Sequence, residues 1–153
     1  MPRSNRSLPI RSGALLAAAA LTASCSMGNT KSQPTAAEAG ATLKAHIMRL
    51  LDEVSAGRIH ITDPGGKDIP CGDGKVKRTF AATAPDNVEQ TGPRSLNAMM
   101  LGTLSGFTDY YLTGPGDQQF NVVSDETKTS LHLNSSKQGE YSVRGETACL
   151  NPS

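Results

Sequence analysis

The sequence predicts an α+β fold, two helices packed on one face of a single antiparallel sheet of about four to five strands. Three observations carry this. Two segments repeat apolar residues at helical spacing, several later segments alternate apolar and polar residues as half-buried strands do, and short clusters of Gly, Pro, Asp and Ser separate them. The order is helix, strand, helix, then three or four strands, and such a chain buries its apolar surfaces by laying both helices against one side of one sheet.

The first helix starts at Thr35. Thr35-Ala-Ala-Glu38 has the spacing of a capping box, in which each side chain satisfies the other residue's free backbone N–H. Leu43, Ile47, Leu50, Leu51 and Val54 then form one apolar stripe, Lys44, Arg49 and Glu53 fall away from it, and Gly57 supplies a stop. Residues 58–74 contain Asp63-Pro-Gly-Gly66 and Cys71-Gly-Asp-Gly74, which is turn chemistry, so they read as a loop with a short strand at Ile59 to Ile61. Lys75 to Ala84 alternates as one strand, with Val76, Arg78, Phe80 and Ala82 on one side.

A second helix is expected from Ser95 to Ser105, with Leu96, Met99, Met100, Leu104 and Phe107 facing inward. The remainder reads as strands at Phe107 to Thr113, Phe120 to Ser124, Thr129 to Asn134 and Tyr141 to Thr147, each gap short enough for a hairpin. Leu131 and Leu133, like Tyr141 and Val143, should face the core and leave polar partners on a wet face. Aromatics make up 4% of the 153 residues and there is no Trp, so the core must be filled mainly by aliphatic side chains.

The opening residues are of another kind. Residues 1–12 hold Arg3, Arg6 and Arg11 and no acid, and an apolar run from Gly13 to Leu21 follows, which together make a charged n-region and an h-region. The uncharged stretch from Gly13 to Ser24 is shorter than the roughly 20 residues a membrane-spanning helix needs. Leu21-Thr-Ala-Ser-Cys25 resembles the lipobox of bacterial lipoprotein signal peptides. The resemblance implies that residues 1–24 are removed as a signal peptide, that Cys25 becomes the lipidated first residue of the mature chain, bearing acyl groups such as palmitate, and that the protein is held on the extracytoplasmic face of the cell membrane. Residues 25–34, polar and without periodicity, then serve as a tether reaching about 15–20 Å as a coil, and residues 35–153 form a single domain. With its lipobox, its tether, Gly106-Phe107 and the terminal Gly145-Glu-Thr-Ala-Cys149, the chain is similar to small uncharacterised lipoproteins of high-GC Gram-positive bacteria.

That address bears on the remaining cysteines. Lipidation uses Cys25, which leaves Cys71 and Cys149 to pair as a disulfide in an oxidising compartment. The mature chain keeps 12 of the 15 basic residues against all 14 acidic ones, a balance of −2 that does not suggest nucleic-acid binding.

The chemistry of catalysis is sparse. His46, His60 and His132 fall on different predicted elements without metal-ligand spacing, so no metal and no cofactor is expected. Gly102-Thr-Leu-Ser-Gly106 lacks the spacing of a nucleophile elbow and reads as small residues letting a helix approach the sheet. Asp63 to Asp68 and Cys71 to Lys75 do not supply a calcium or phosphate loop, Asp109-Tyr110-Tyr111 reads as sheet packing before ligand groove, and Asp125-Glu126 as a solvated turn. The expected function is therefore a non-enzymatic binding or interaction module of the cell envelope, anchored by lipid and meeting an envelope protein or a small ligand. An extracytoplasmic hydrolase and an inhibitor of a secreted enzyme are the alternatives, the first needing titratable groups gathered in one pocket and the second a rigid exposed loop.

Overall fold

A computed structural model describes residues 32–106 and 109–153. The residues expected to form a signal peptide, Cys25, the expected tether as far as residue 31, and Phe107 lie outside the described residues.

Helix α1 spans Ala36–Glu53. Its start follows the expected chemistry: Glu38 N–H donates to Thr35 Oγ1 at 3.2 Å, and Thr35 N–H donates to Glu38 Oε2 at 2.9 Å. Its end does not use Gly57. Ser55 takes the left-handed conformation at φ 54°, its N–H donates to Asp52 at 2.9 Å, and the Ala56 N–H donates back to Leu51 at 3.0 Å. These two bonds form a Schellman motif with serine in the position glycine usually holds. Gly57 is needed for a different reason, because a Cβ there would lie 2.8 Å from Pro85 Cγ where the chain docks beside the sheet.

The segment read as a loop is richer than expected. Strand β1 is His60–Asp63, β2 is Ile69–Gly72 and β3 is Lys75–Lys77. Asp73 and Gly74 both have positive φ, 53° and 69°, and form a two-residue turn between β2 and β3, for which Asp-Gly is the favoured pair. The long strand expected from Lys75 to Ala84 is broken at Arg78. Beyond the break β4, Thr79–Pro85, enters the main sheet, while β3 stays with β2 and bridges to Leu150. Arg78 holds the junction, its N–H donating to Thr147 Oγ1 at 3.0 Å and its carbonyl accepting from Thr147 N–H at 2.9 Å.

Helix α2, Pro93–Leu104, begins two residues before the expected Ser95, with proline at its first position, where the missing N–H costs nothing. Strands β5 (Tyr111–Thr113), β6 (Phe120–Ser124), β7 (Thr129–Leu133) and β8 (Glu140–Thr147) complete the chain. The main sheet has six strands in the order β1-β4-β8-β7-β6-β5, every pair antiparallel, and β2-β3 forms a separate two-stranded sheet. The class is α+β as expected, with more strands than the four to five the sequence predicts.

Both helices pack on the same side, α1 over β4 and β8 and α2 over β7 and β8. The buried partners there are Leu43, Ile47, Leu50 and Leu51 from α1, Leu96, Met100 and Leu104 from α2, and Phe80, Val122, Leu131, Leu133, Tyr141 and Val143 from the sheet. Each such side chain contributes about 1.5–3 kcal/mol on burial. Gly145 sits under α1, where a Cβ would come within 2.7 Å of the Ser130 carbonyl and against Leu43, so its small size sets how closely helix and sheet approach. On α2 the expected inward Met99 is 47% exposed, and buried Asn97 holds the position beside Leu96 instead. Asn97 acts as a latch: its amide donates to Gln118 O at 2.7 Å and Ser135 O at 3.1 Å, and its oxygen accepts from Ser135 N–H at 2.8 Å.

Cys71 lies in β2 rather than in a turn, and the structure joins it to Cys149 with a Cα separation of 6.1 Å. The two ends this bridge ties are also held by main-chain bonds between Val76 and Leu150, both 2.9 Å, and by a small apolar cluster of Ala36, Ala39, Val76 and Leu150.

A candidate binding face on the open side of the sheet

Strand alternation sends every second side chain of the sheet away from the helices. The register lines these outward residues into rungs. Asp63 stands opposite Ala81, Ala81 opposite Arg144, Arg144 opposite His132, His132 opposite Asn121, and Asn121 opposite Thr113. One rung thus crosses all six strands. A second runs Thr79, Glu146, Ser130, Val123, Tyr111. Between them lies a groove of about 600 Å³ bordered by both rungs save Tyr111, within the range of small-molecule sites.

The charges in this groove differ in how far they are already satisfied. Asp63 accepts from Thr79 Oγ1 at 2.6 Å and Gly65 N–H at 2.9 Å, and the Thr79 hydroxyl above all holds its carboxyl below the usual range. Glu146 is paired with Lys77 at 2.8 Å. His132 is held between two amides, Nδ1 against Asn121 Oδ1 and Nε2 at 3.1 Å from Gln119 Oε1, which fixes its ring across the groove. Burial first, and Arg144 second, lower its pKa. Arg144 is exposed and has no carboxylate partner among the described residues. Its guanidinium therefore offers the groove a full set of N–H donors.

The other residues singled out from sequence are placed as follows. His46, His60 and His132 fall on α1, β1 and β7, and among the described residues no group of three or more His, Cys, Asp or Glu is placed to hold a metal. His46 is tied into the fold by an aromatic partner. Half-buried, it meets the Tyr110 ring edge-on, with Nδ1 3.1 Å from the Tyr110 hydroxyl, which in turn lies 2.7 Å from Thr129 Oγ1. This chain ties α1 to the segment entering β5 and to β7. Tyr110 is thus internal, whereas Tyr111 is half exposed on the edge strand and donates to Asp125.

The Asp-Gly segments are ordinary structure: Asp68 pairs with Arg78 at 2.7 Å, and Cys71 to Lys75 is the β2-β3 hairpin. Gly102 faces open space, so it does not bring α2 closer to the sheet, and the Ser105 hydroxyl donates to the Gly102 carbonyl at 2.6 Å. Arg144 was not distinguishable in the sequence as a site residue. The alternation of Tyr141 and Val143 assigns it to the wet face, but only the register sets it beside His132. No family model, curated protein or solved structure matches the chain.

Proposed function

We propose that this chain is a lipoprotein anchored through Cys25 to the extracytoplasmic face of the cell membrane, and that its domain is a non-enzymatic binding module that meets its ligand on the open face of the sheet. The observation that carries the binding reading is the groove opposite the helices, where a rung polar on five of its six strands is broken only by Ala81 and one guanidinium has no carboxylate partner among the described residues. The lipobox Leu21-Thr-Ala-Ser-Cys25 and the charged, apolar leader support the address.

The groove offers binding groups rather than a catalytic set. Its carboxylates are engaged by Thr79, Gly65 and Lys77, and its histidine by two amides, so a bound molecule meets preorganised donors and acceptors. The reading is tested by titrating the ¹⁵N-labelled mature chain with a low-molecular-mass extract of the host envelope and following backbone resonances. Saturable shifts at Thr79, Ser130, His132 and Arg144 are expected. Shifts confined to the solvent side of α1 and α2, or none at all, would overturn the assignment of the open face.

A further inference from the structure

We infer that Arg144 seats the carboxylate of a monoanionic, hydroxyl-rich ligand, a sugar acid, whose remaining groups lie along the rung formed by His132, Asn121 and Thr113. The inference rests on the open-face reading above and names the class of ligand.

Charge balance selects the anion. Among the groove residues Glu146 is neutralised by Lys77, Asp63 keeps its charge under hydrogen bonds from Thr79 and Gly65, and Arg144 is the cation without a carboxylate. One guanidinium answers one negative charge, and its planar fork matches a carboxylate through two parallel N–H···O bonds. A phosphate dianion would bring a second negative charge into a groove where Asp63 keeps its own, and like charges at this range oppose binding. His132, its ring nitrogens already held by Asn121 and Gln119, is kept toward its neutral form by burial first and Arg144 second, so it does not supply the cation that an anion would need.

The neighbours select the body of the ligand. Strand spacing of about 4.8 Å places His132, Asn121 and Thr113 at roughly 5, 10 and 14 Å from Arg144 along the rung. With Ser130 and Thr79 on the second rung, they present hydroxyls, amides and an imidazole, groups that both donate and accept. A hydroxylated body can exchange its water contacts for these one by one. The hydroxyls of Thr113, Ser130 and Thr79 already donate, to the Asn121 and Glu146 carbonyls and to Asp63, which leaves their lone pairs to accept from a ligand hydroxyl. On the Asp63 side the rung continues through Ala81, whose small side chain leaves room beside Arg144.

The test uses three probes that share one ring, D-glucuronate, D-glucose 6-phosphate and D-glucose, each titrated into the ¹⁵N-labelled mature chain and into its Arg144→Gln and Arg144→Lys variants. Glucuronate should shift Ala81, His132, Arg144 and Glu146 saturably, and more tightly than either other probe. Arg144→Gln should weaken it by at least about tenfold, as loss of a charge-assisted pair implies, with Arg144→Lys in between. Because Arg144 is exposed, both variants should keep the wild-type spectrum elsewhere. Glucose 6-phosphate binding the rung as tightly as glucuronate would overturn the carboxylate assignment and leave the open-face reading standing. No shift with glucuronate, or shifts that persist unchanged in Arg144→Gln, would overturn the inference, while the envelope-extract titration judges the open face separately.

Discussion

Replacing Cys149 by serine removes the bond to Cys71 while leaving nearly everything around it in place. The bridge closes a loop of 78 residues. In the chain-entropy description a loop of that length restricts the unfolded ensemble by about 4.5 kcal/mol, an upper figure because measured bridges often deliver less. In the native state the same ends are joined by the two Val76–Leu150 main-chain bonds, by Thr147 with Arg78, and by Ala36 N–H donating to Asn151 at 2.8 Å. The folded geometry should therefore survive, and the cost should fall on the unfolded state. For a domain of this size the loss corresponds to a Tm lower by roughly 10–20 °C. Urea unfolding followed by circular dichroism measures it directly: the midpoint should fall, and the slope should rise slightly because the unbridged chain unfolds further. Wild type reduced with dithiothreitol should reproduce the variant. An unchanged midpoint, or two free thiols on non-reducing mass analysis of wild type, would refute the reasoning.

Asn97→Ala strips three hydrogen bonds from a fully buried site and leaves Ser135 N–H without its partner, so a loss of about 2–4 kcal/mol is expected, read as a shift in the denaturation midpoint. Stability should also fall on acidification in two windows. His46 and His132 both lie below their ordinary 6.5, chiefly through burial, so the unfolded chain binds protons first and stability present above pH 6.5 is lost as pH falls toward their folded values. The His46→Gln, His132→Gln double variant should lose that slope, and a slope unchanged from wild type would contradict the assignment. Asp63 and Asp86, lowered chiefly by the Thr79 and Thr91 hydroxyls, contribute stability that persists above 3.8 and disappears as pH falls through their folded values. Urea midpoints taken across pH 3 to 8 in the variants separate the two windows.

Much of the fold was legible because it is written in local patterns. Thr35 and Glu38 mark the start of α1, the stripe from Leu43 to Leu51 marks its buried face, and Leu131, Leu133, Tyr141 and Val143 mark the inward side of β7 and β8. Three features were hidden for physical reasons. Ser55 ends α1 in a conformation that sequence assigns to glycine, because two hydrogen bonds and the Asn87 side chain on its carbonyl compensate for the strained φ. The β2-β3 hairpin carries an Asp73-Gly74 turn signal, but its strands are short and partly exposed, so apolar alternation did not reveal them. The break at Arg78 leaves the alternation of Val76, Phe80 and Ala82 intact and changes only the pairing partner, which no local pattern encodes. The candidate site was hidden in the same way. Alternation places Arg144 and His132 on the wet face, yet their adjacency comes from the register between β7 and β8, a contact between separate strands.

In the proposed address Cys25 would carry the lipid that anchors the domain and leave Cys71 and Cys149 as a pair. Metabolic labelling with an alkyne-tagged fatty acid, followed by mass analysis of the N-terminal peptide, tests it. A mature chain beginning at Cys25 and carrying label is expected, with no label in Cys25→Ala. A wild-type chain that begins elsewhere, or begins at Cys25 without acyl mass, would contradict it.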